Sequence, residues 1–92
     1  MRYFIDLSEV NDREQLHDAL EAALPLPEYY GRNLDALNDA LTDMAVYYPS
    51  CIIFIRGAEA AGQGAAGDYI RKLRCLCSRL EQEEDNLFFI WE

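Results

Sequence analysis

Apolar positions along the chain switch between a two-residue and a near-four-residue period. Residues 2–7, Arg-Tyr-Phe-Ile-Asp-Leu, are short, aromatic and β-branched, which predicts a strand. From Asn11 to Leu24 the residues Leu16, Ala19, Leu20, Ala23 and Leu24 recur at helical spacing, with Asn11 or Asp12 available as the cap. Pro25 and Pro27 end that helix and force an extended connector. Glu28 to Arg32 then reads as a loop, with Gly31 supplying backbone freedom for a turn. Asn33 suits the N-cap of a second helix to about Met44, whose inward face would be Leu34, Leu37, Ala40, Leu41 and Met44.

The run Cys51-Ile52-Ile53-Phe54-Ile55 is continuously apolar, which suits a strand buried on both faces. The Ala/Gly-rich stretch from Gly57 to Gly67 reads as a mobile connector with one short helical turn. Asp68 to about Glu84 predicts a long helix that turns Tyr69 or Ile70, Leu73, Leu76, Cys77 and Leu80 inward. Asn86 starts a turn, and Leu87 to Trp91 completes the pattern as a strand. Helical crossovers between successive strands imply a parallel sheet. The expected fold is α/β, a small parallel sheet with helices covering at least one face, formed as a single domain over residues 1–92. There is no internal repeat, heptad array or low-complexity segment.

Composition narrows the partners. Just over half of the residues, 51%, are apolar, too many for a disordered chain of this charge. The formal net charge is −9, which disfavours nucleic acid and anionic membrane surfaces and favours a basic macromolecular partner. Ten of the 17 acidic side chains fall in residues 1–49 against three bases, so the negative field belongs mainly to the first half.

The candidate chemistry for an enzyme is thin. Cys51, Cys75 and Cys77 are odd in number and form no C-x-x-C pair, so they read as buried free thiols in a reducing cytoplasm. The start, MRYFIDLSEV, lacks the apolar core of a secretory signal, and no run reaches membrane-spanning length. His17, the one histidine, is expected at an exposed position on the first helix with no serine or cysteine nucleophile near it. Gly62, Gly64 and Gly67 have G-x-G-x-x-G spacing, but it does not directly follow the first strand as a dinucleotide fingerprint requires. Asp35 and Asp39 on one helix make a weak Mg²⁺ site. No metal or cofactor is expected.

The informative stretch is Leu26 to Asp43. Asp35, Asp39 and Asp43 lie four apart and form one stripe along the second helix, with no basic residue inside that helix to relieve it. Beside it stand Tyr29 and Tyr30, and tyrosine offers a large amphipathic contact area at low entropic cost. On spacing alone, the aspartates could equally form an ordinary solvated face, and one or both tyrosines could pack on the core.

The run LPEYYGRNLDALNDALTD resembles the central loop-and-helix signature of the barstar family, intracellular inhibitors of secreted microbial ribonucleases. Leu26, Pro27, Glu28, Tyr29, Tyr30, Gly31, Asn33, Leu34, Asp35, Ala36, Leu37, Asp39, Leu41 and Thr42 fit it. The resemblance implies a three-stranded parallel sheet with three to four packed helices, and a loop and helix that enter the active-site cleft of a barnase-like ribonuclease. Asp39 would occupy a phosphate site, Asp35 would add a second charged contact, and Tyr29 would pack near the catalytic histidine of the enzyme. Gly31, Asn33 and Leu34 would supply backbone and edge contacts. Tyr30, Thr42 and Asp43 complete the candidate surface on the loop and second helix, and Leu76, Arg79 and Glu83 extend it onto the long helix.

Two positions depart from the family pattern. Asn38 stands where a tryptophan is found, and Arg79 stands where a glutamate faces the enzyme. The stretch 68–79 is net positive through Arg71, Lys72, Arg74 and Arg79. The expected protein is therefore a cytoplasmic, non-enzymatic inhibitor, monomeric when free and binding one basic ribonuclease. The alternatives are a module that keeps the fold without inhibiting a ribonuclease, and an inhibitor of another basic nucleic-acid-binding protein.

Overall fold

The computed structural model describes residues 1–92. Along the chain run β1 (Arg2–Asp6), α1 (Arg13–Ala23), α2 (Leu34–Tyr47), β2 (Cys51–Arg56), α3 (Ala58–Gly62), α4 (Gly67–Glu83) and β3 (Leu87–Trp91). The strands form one parallel sheet in the order β1-β2-β3, with Phe4, Phe54 and Ile90 in one register row. The fold is thus the small α/β architecture expected from the sequence.

Local chemistry sets the helix ends. The Asp12 carboxylate accepts from the Gln15 backbone N–H at 2.8 Å, while the Gln15 side-chain oxygen accepts from Asn11 N–H at 2.7 Å. The first bond satisfies a donor that the first turn of α1 would leave open, and the second ties the residue before the cap onto the helix. Asn33 does the same for α2, its Oδ1 accepting from Ala36 N–H at 2.7 Å. That helix continues three residues past Met44, because its stop is Pro49. The proline drives the preceding residue, Tyr48, into extended backbone at φ −117° and ψ 142°.

The core lies between the sheet and the helices. Ile5, Leu7, Cys51, Ile53, Ile55 and Leu87 from the sheet segments meet Leu16, Leu20, Leu37, Leu41, Leu73 and Leu80 from the helices, all buried. Each such side chain contributes about 1.5–3 kcal/mol by leaving water. Four expectations need correction at this level. The central strand is covered on one face only: its burial alternates, and Phe4 (67% exposed), Phe88 and Ile90 line an open second face. Phe4 and Phe54 stack there with ring centroids 4.9 Å apart. A continuous apolar run cannot report this, since it reads the same whether one layer of helices packs on it or two.

The second correction concerns His17, which is fully buried rather than exposed. The third is Cys75, which is exposed, whereas Cys51 and Cys77 are buried free thiols as expected. The fourth is Gly31: the loop places its left-handed residue at Arg32, with φ 55°.

The Ala/Gly-rich segment does hold one short helix, α3, and its glycines serve close packing. Gly57 adopts φ 78°, and a Cβ there would stand 2.4 Å from the backbone nitrogen of Ser8. A Cβ on Gly67 would stand 2.4 Å from the Gly62 carbonyl oxygen, so α4 starts against the end of α3.

Candidate functional site

The outward side of α2 presents Asp35, Asp39 and Asp43, all exposed, over a buried side of Leu37, Ala40, Leu41 and Met44. None of the three carboxylates is held in an ion pair within the molecule. The one base near the start of this helix, Arg32, is committed elsewhere. Its guanidinium donates to the Glu21 carboxylate, to Asp18 at 2.8 Å and to the Glu14 carbonyl oxygen at 2.9 Å. The carboxylates of Asp18 and Glu21 push its pKa up further. Arg32 thus fixes its own strained backbone, and the loop around it, onto α1.

A second tie lies underneath. Tyr30 turns inward and its hydroxyl meets His17 Nδ1 at 2.7 Å, while the Tyr69 hydroxyl meets His17 Nε2 at 2.8 Å. A neutral imidazole donates from one nitrogen and accepts at the other, so both phenols are satisfied. Burial pushes the Tyr30 phenol up and the His17 pKa down, so His17 is held neutral. Loop, α1 and α4 meet at this histidine.

With Arg32 and Tyr30 fixed, Tyr29 points outward, 89% exposed. It stands over a concavity of about 310 Å³ lined by Gly31, Ala36, Asp39 and Asp43. The other flank of α2 borders a wider groove of about 950 Å³ against α4. Leu34, Asp35 and Asn38 form one wall; Asp68, Arg71, Lys72, Cys75, Leu76 and Arg79 form the other. Arg79 Nη2 bridges the groove to Asn38 Oδ1 at 2.8 Å, and its Nε lies 3.7 Å from Glu83 on the same helix.

The structure therefore brings Tyr29, Gly31, Asn33, Leu34, Asp35, Asn38, Asp39 and Asp43 to one continuous surface around α2. Leu76 and Arg79 join it across the groove, and Glu83 sits at its far end. Two candidates behave differently. Tyr30 is buried, anchored through His17, and borders the Tyr29 concavity from beneath. Thr42 is half-buried and spends its hydroxyl on the Asn38 carbonyl at 2.8 Å within α2. Sequence reasoning passed over Arg32, His17 and Tyr69, which position the loop. One signal was available: Glu14, Asp18 and Glu21 form a helical stripe, and Arg32 is the lone base between residues 14 and 55.

No helix is long and apolar enough to cross a membrane, and no cluster of three metal-ligating side chains is present. Among curated proteins, a Bacillus subtilis (strain 168) protein named "Putative ribonuclease inhibitor YrdF" is 51% identical over 41 residues. That match covers 45% of this chain and 45% of the relative, so the shared stretch spans less than half of either. The family described as Barstar (barnase inhibitor) matches residues 1–91, in accord with the three-stranded parallel sheet and its helices. The chain belongs to the Barstar (barnase inhibitor) family, whose members are inhibitors and not enzymes.

Proposed function

We propose that this protein binds a basic, barnase-like ribonuclease one-to-one and plugs its active-site cleft with α2 and the Tyr29 loop. The observation that carries the reading is the row of three exposed aspartates without ion-pair partners, on a helix whose neighbouring loop is locked in place. Carboxylates with no internal partner are expensive to gather on one helix face, by a few tenths of a kcal/mol per pair. They gain most when a cationic cleft receives them, because charge-assisted hydrogen bonds are the strong ones.

In this reading Asp39 takes a phosphate site lined by arginine, lysine or histidine, and Asp35 adds a second charged contact. Asp43 extends the negative field, and Tyr29 lays its ring against the cleft wall. Gly31, Asn33 and Leu34 contribute at the helix start. Pre-ordering by Arg32 and Tyr30 spares the entropy of fixing the loop at the moment of binding. The net charge of −9 supports a basic protein partner and opposes direct binding of nucleic acid. A cytoplasmic site of action fits three unpaired thiols, and a monomer when free leaves the acidic surface open.

The test is titration of a barnase-type ribonuclease with the purified protein at low and physiological salt. The reading expects stoichiometric inhibition at one inhibitor per enzyme, weakening as salt rises. A folded protein that leaves the enzyme fully active would reject it.

A further inference from the structure

The surface around α2 is not uniformly acidic. Across the groove, α4 presents Lys72 and Arg79 on one stripe, seven residues and about 10.5 Å apart along the helix. The other bases of this helix already have partners within the chain. Arg71 is paired with Asp68, and the Arg74 guanidinium lies 4.5 Å from the Trp91 ring centroid, over its face. Lys72 has no ion pair. Arg79 commits Nη2 to an amide oxygen and holds Glu83 only loosely, at 3.7 Å, leaving its Nη1 donors open. Asn38, the residue it bridges to, ties the guanidinium across the groove that Asp35 also lines.

A cleft that is cationic throughout would meet the acid stripe well and these two cations badly. Burying Lys72 and Arg79 against further positive charge would cost both repulsion and lost hydration. Resting on the inhibitor reading above, we infer that the partner ribonuclease carries a carboxylate on the rim of its cleft that meets α4. Lys72 and Arg79 are then the residues that select for it. The open Nη1 of Arg79 can donate to a carboxylate, and the flexible Lys72 stem brings a second cation to the same rim. The partner is thus a ribonuclease with a divided cleft: basic at the floor that receives Asp39, acidic at one rim.

The experiment uses one barnase-type ribonuclease in two versions that differ at a single rim residue facing α4, Glu in one and Lys in the other. Inhibition constants are measured for the unaltered protein and for its Arg79→Glu, Lys72→Glu and Asp39→Ala variants, with folding checked by circular dichroism. The unaltered protein should prefer the Glu version by about 10-fold or more, and Arg79→Glu should reverse that preference. Lys72→Glu, a second exposed substitution, should shift the preference the same way. Equal inhibition of both enzymes, or preference for the Lys version, would overturn the inference. The control separates the two readings: Asp39→Ala should weaken inhibition of both versions alike. If Asp39→Ala changes neither, the plug by α2 fails first, and the rim selection falls with it.

Discussion

The Tyr30 hydroxyl and His17 Nδ1 lie 2.7 Å apart inside the protein, and through that contact the binding loop is fastened to α1. Since Tyr69 holds the other ring nitrogen at 2.8 Å, three separate segments share one imidazole. Tyr30→Phe keeps the ring and removes the hydroxyl, leaving a buried nitrogen without its partner. The expected loss is about 1–3 kcal/mol of unfolding free energy, read from the shift in urea midpoint at unchanged slope. An unchanged midpoint would mean that the contact adds nothing to stability.

The same histidine makes stability depend on pH. Burial holds its folded-state pKa below the ordinary value of 6.5, so the unfolded chain takes up a proton that the folded chain refuses. The stability associated with neutral His17 is complete above about pH 6.5 and declines as pH falls through and below that value. The decline is at most about 1.4 kcal/mol per pH unit for one group. Urea unfolding at pH 7.5 and 5.5 should show a smaller difference for His17→Gln than for the unaltered protein. A difference of equal size would remove His17 from this role.

Arg32 holds the loop from outside. Arg32→Ala should leave the core and circular dichroism intact, lower the melting temperature, and raise the inhibition constant on the order of 10-fold, because the loop must then order on binding. Arg32→Lys should restore little, since one ammonium cannot reproduce the fork that reaches Glu14, Asp18 and Glu21. Full activity in the alanine variant would show that Tyr30 alone suffices to position Tyr29.

The thiols should differ in reactivity. Cys75 is exposed on the wall of the α2–α4 groove, while Cys51 and Cys77 are buried, and burial pushes the Cys77 thiol up to about 12. An aromatic disulfide reagent should therefore modify one thiol rapidly in the folded protein and all three after unfolding. The rapid site should vanish in Cys75→Ser. Fast reaction at all three in native conditions would contradict the packing around Cys51 and Cys77.

Element order and strand direction were legible in the chain because the two periodicities and the paired prolines are local signals. Asn33 announced the start of α2 through its capping chemistry, and Asp35, Asp39 and Asp43 could be placed on one face by spacing. The errors share a different cause. Whether the far face of the sheet is covered depends on where the four helices land, which no residue of β2 encodes. His17 looked like a surface residue because its partners, Tyr30 and Tyr69, lie 13 and 52 positions away. The left-handed turn fell on Arg32 rather than Gly31 because the carboxylates of α1 hold Arg32 there, while Gly31 sits where a Cβ would stand 3.3 Å from that of Ala36. The groove facing α4 was legible only as a patch of positive charge, not as a wall opposite Asp35.

The most direct test of the central claim is the inhibition constant for a barnase-type ribonuclease, measured for the unaltered protein beside Asp39→Ala. Asp39 is exposed and touches no internal cation, so its removal should leave the melting temperature within about 2–4 °C of the parent. If α2 plugs the cleft, inhibition should weaken on the order of 100-fold, equivalent to about 2.7 kcal/mol of lost charge-assisted hydrogen bonding. A stable Asp39→Ala protein that inhibits as tightly as its parent would contradict the claim and leave the aspartate stripe as a solvated face.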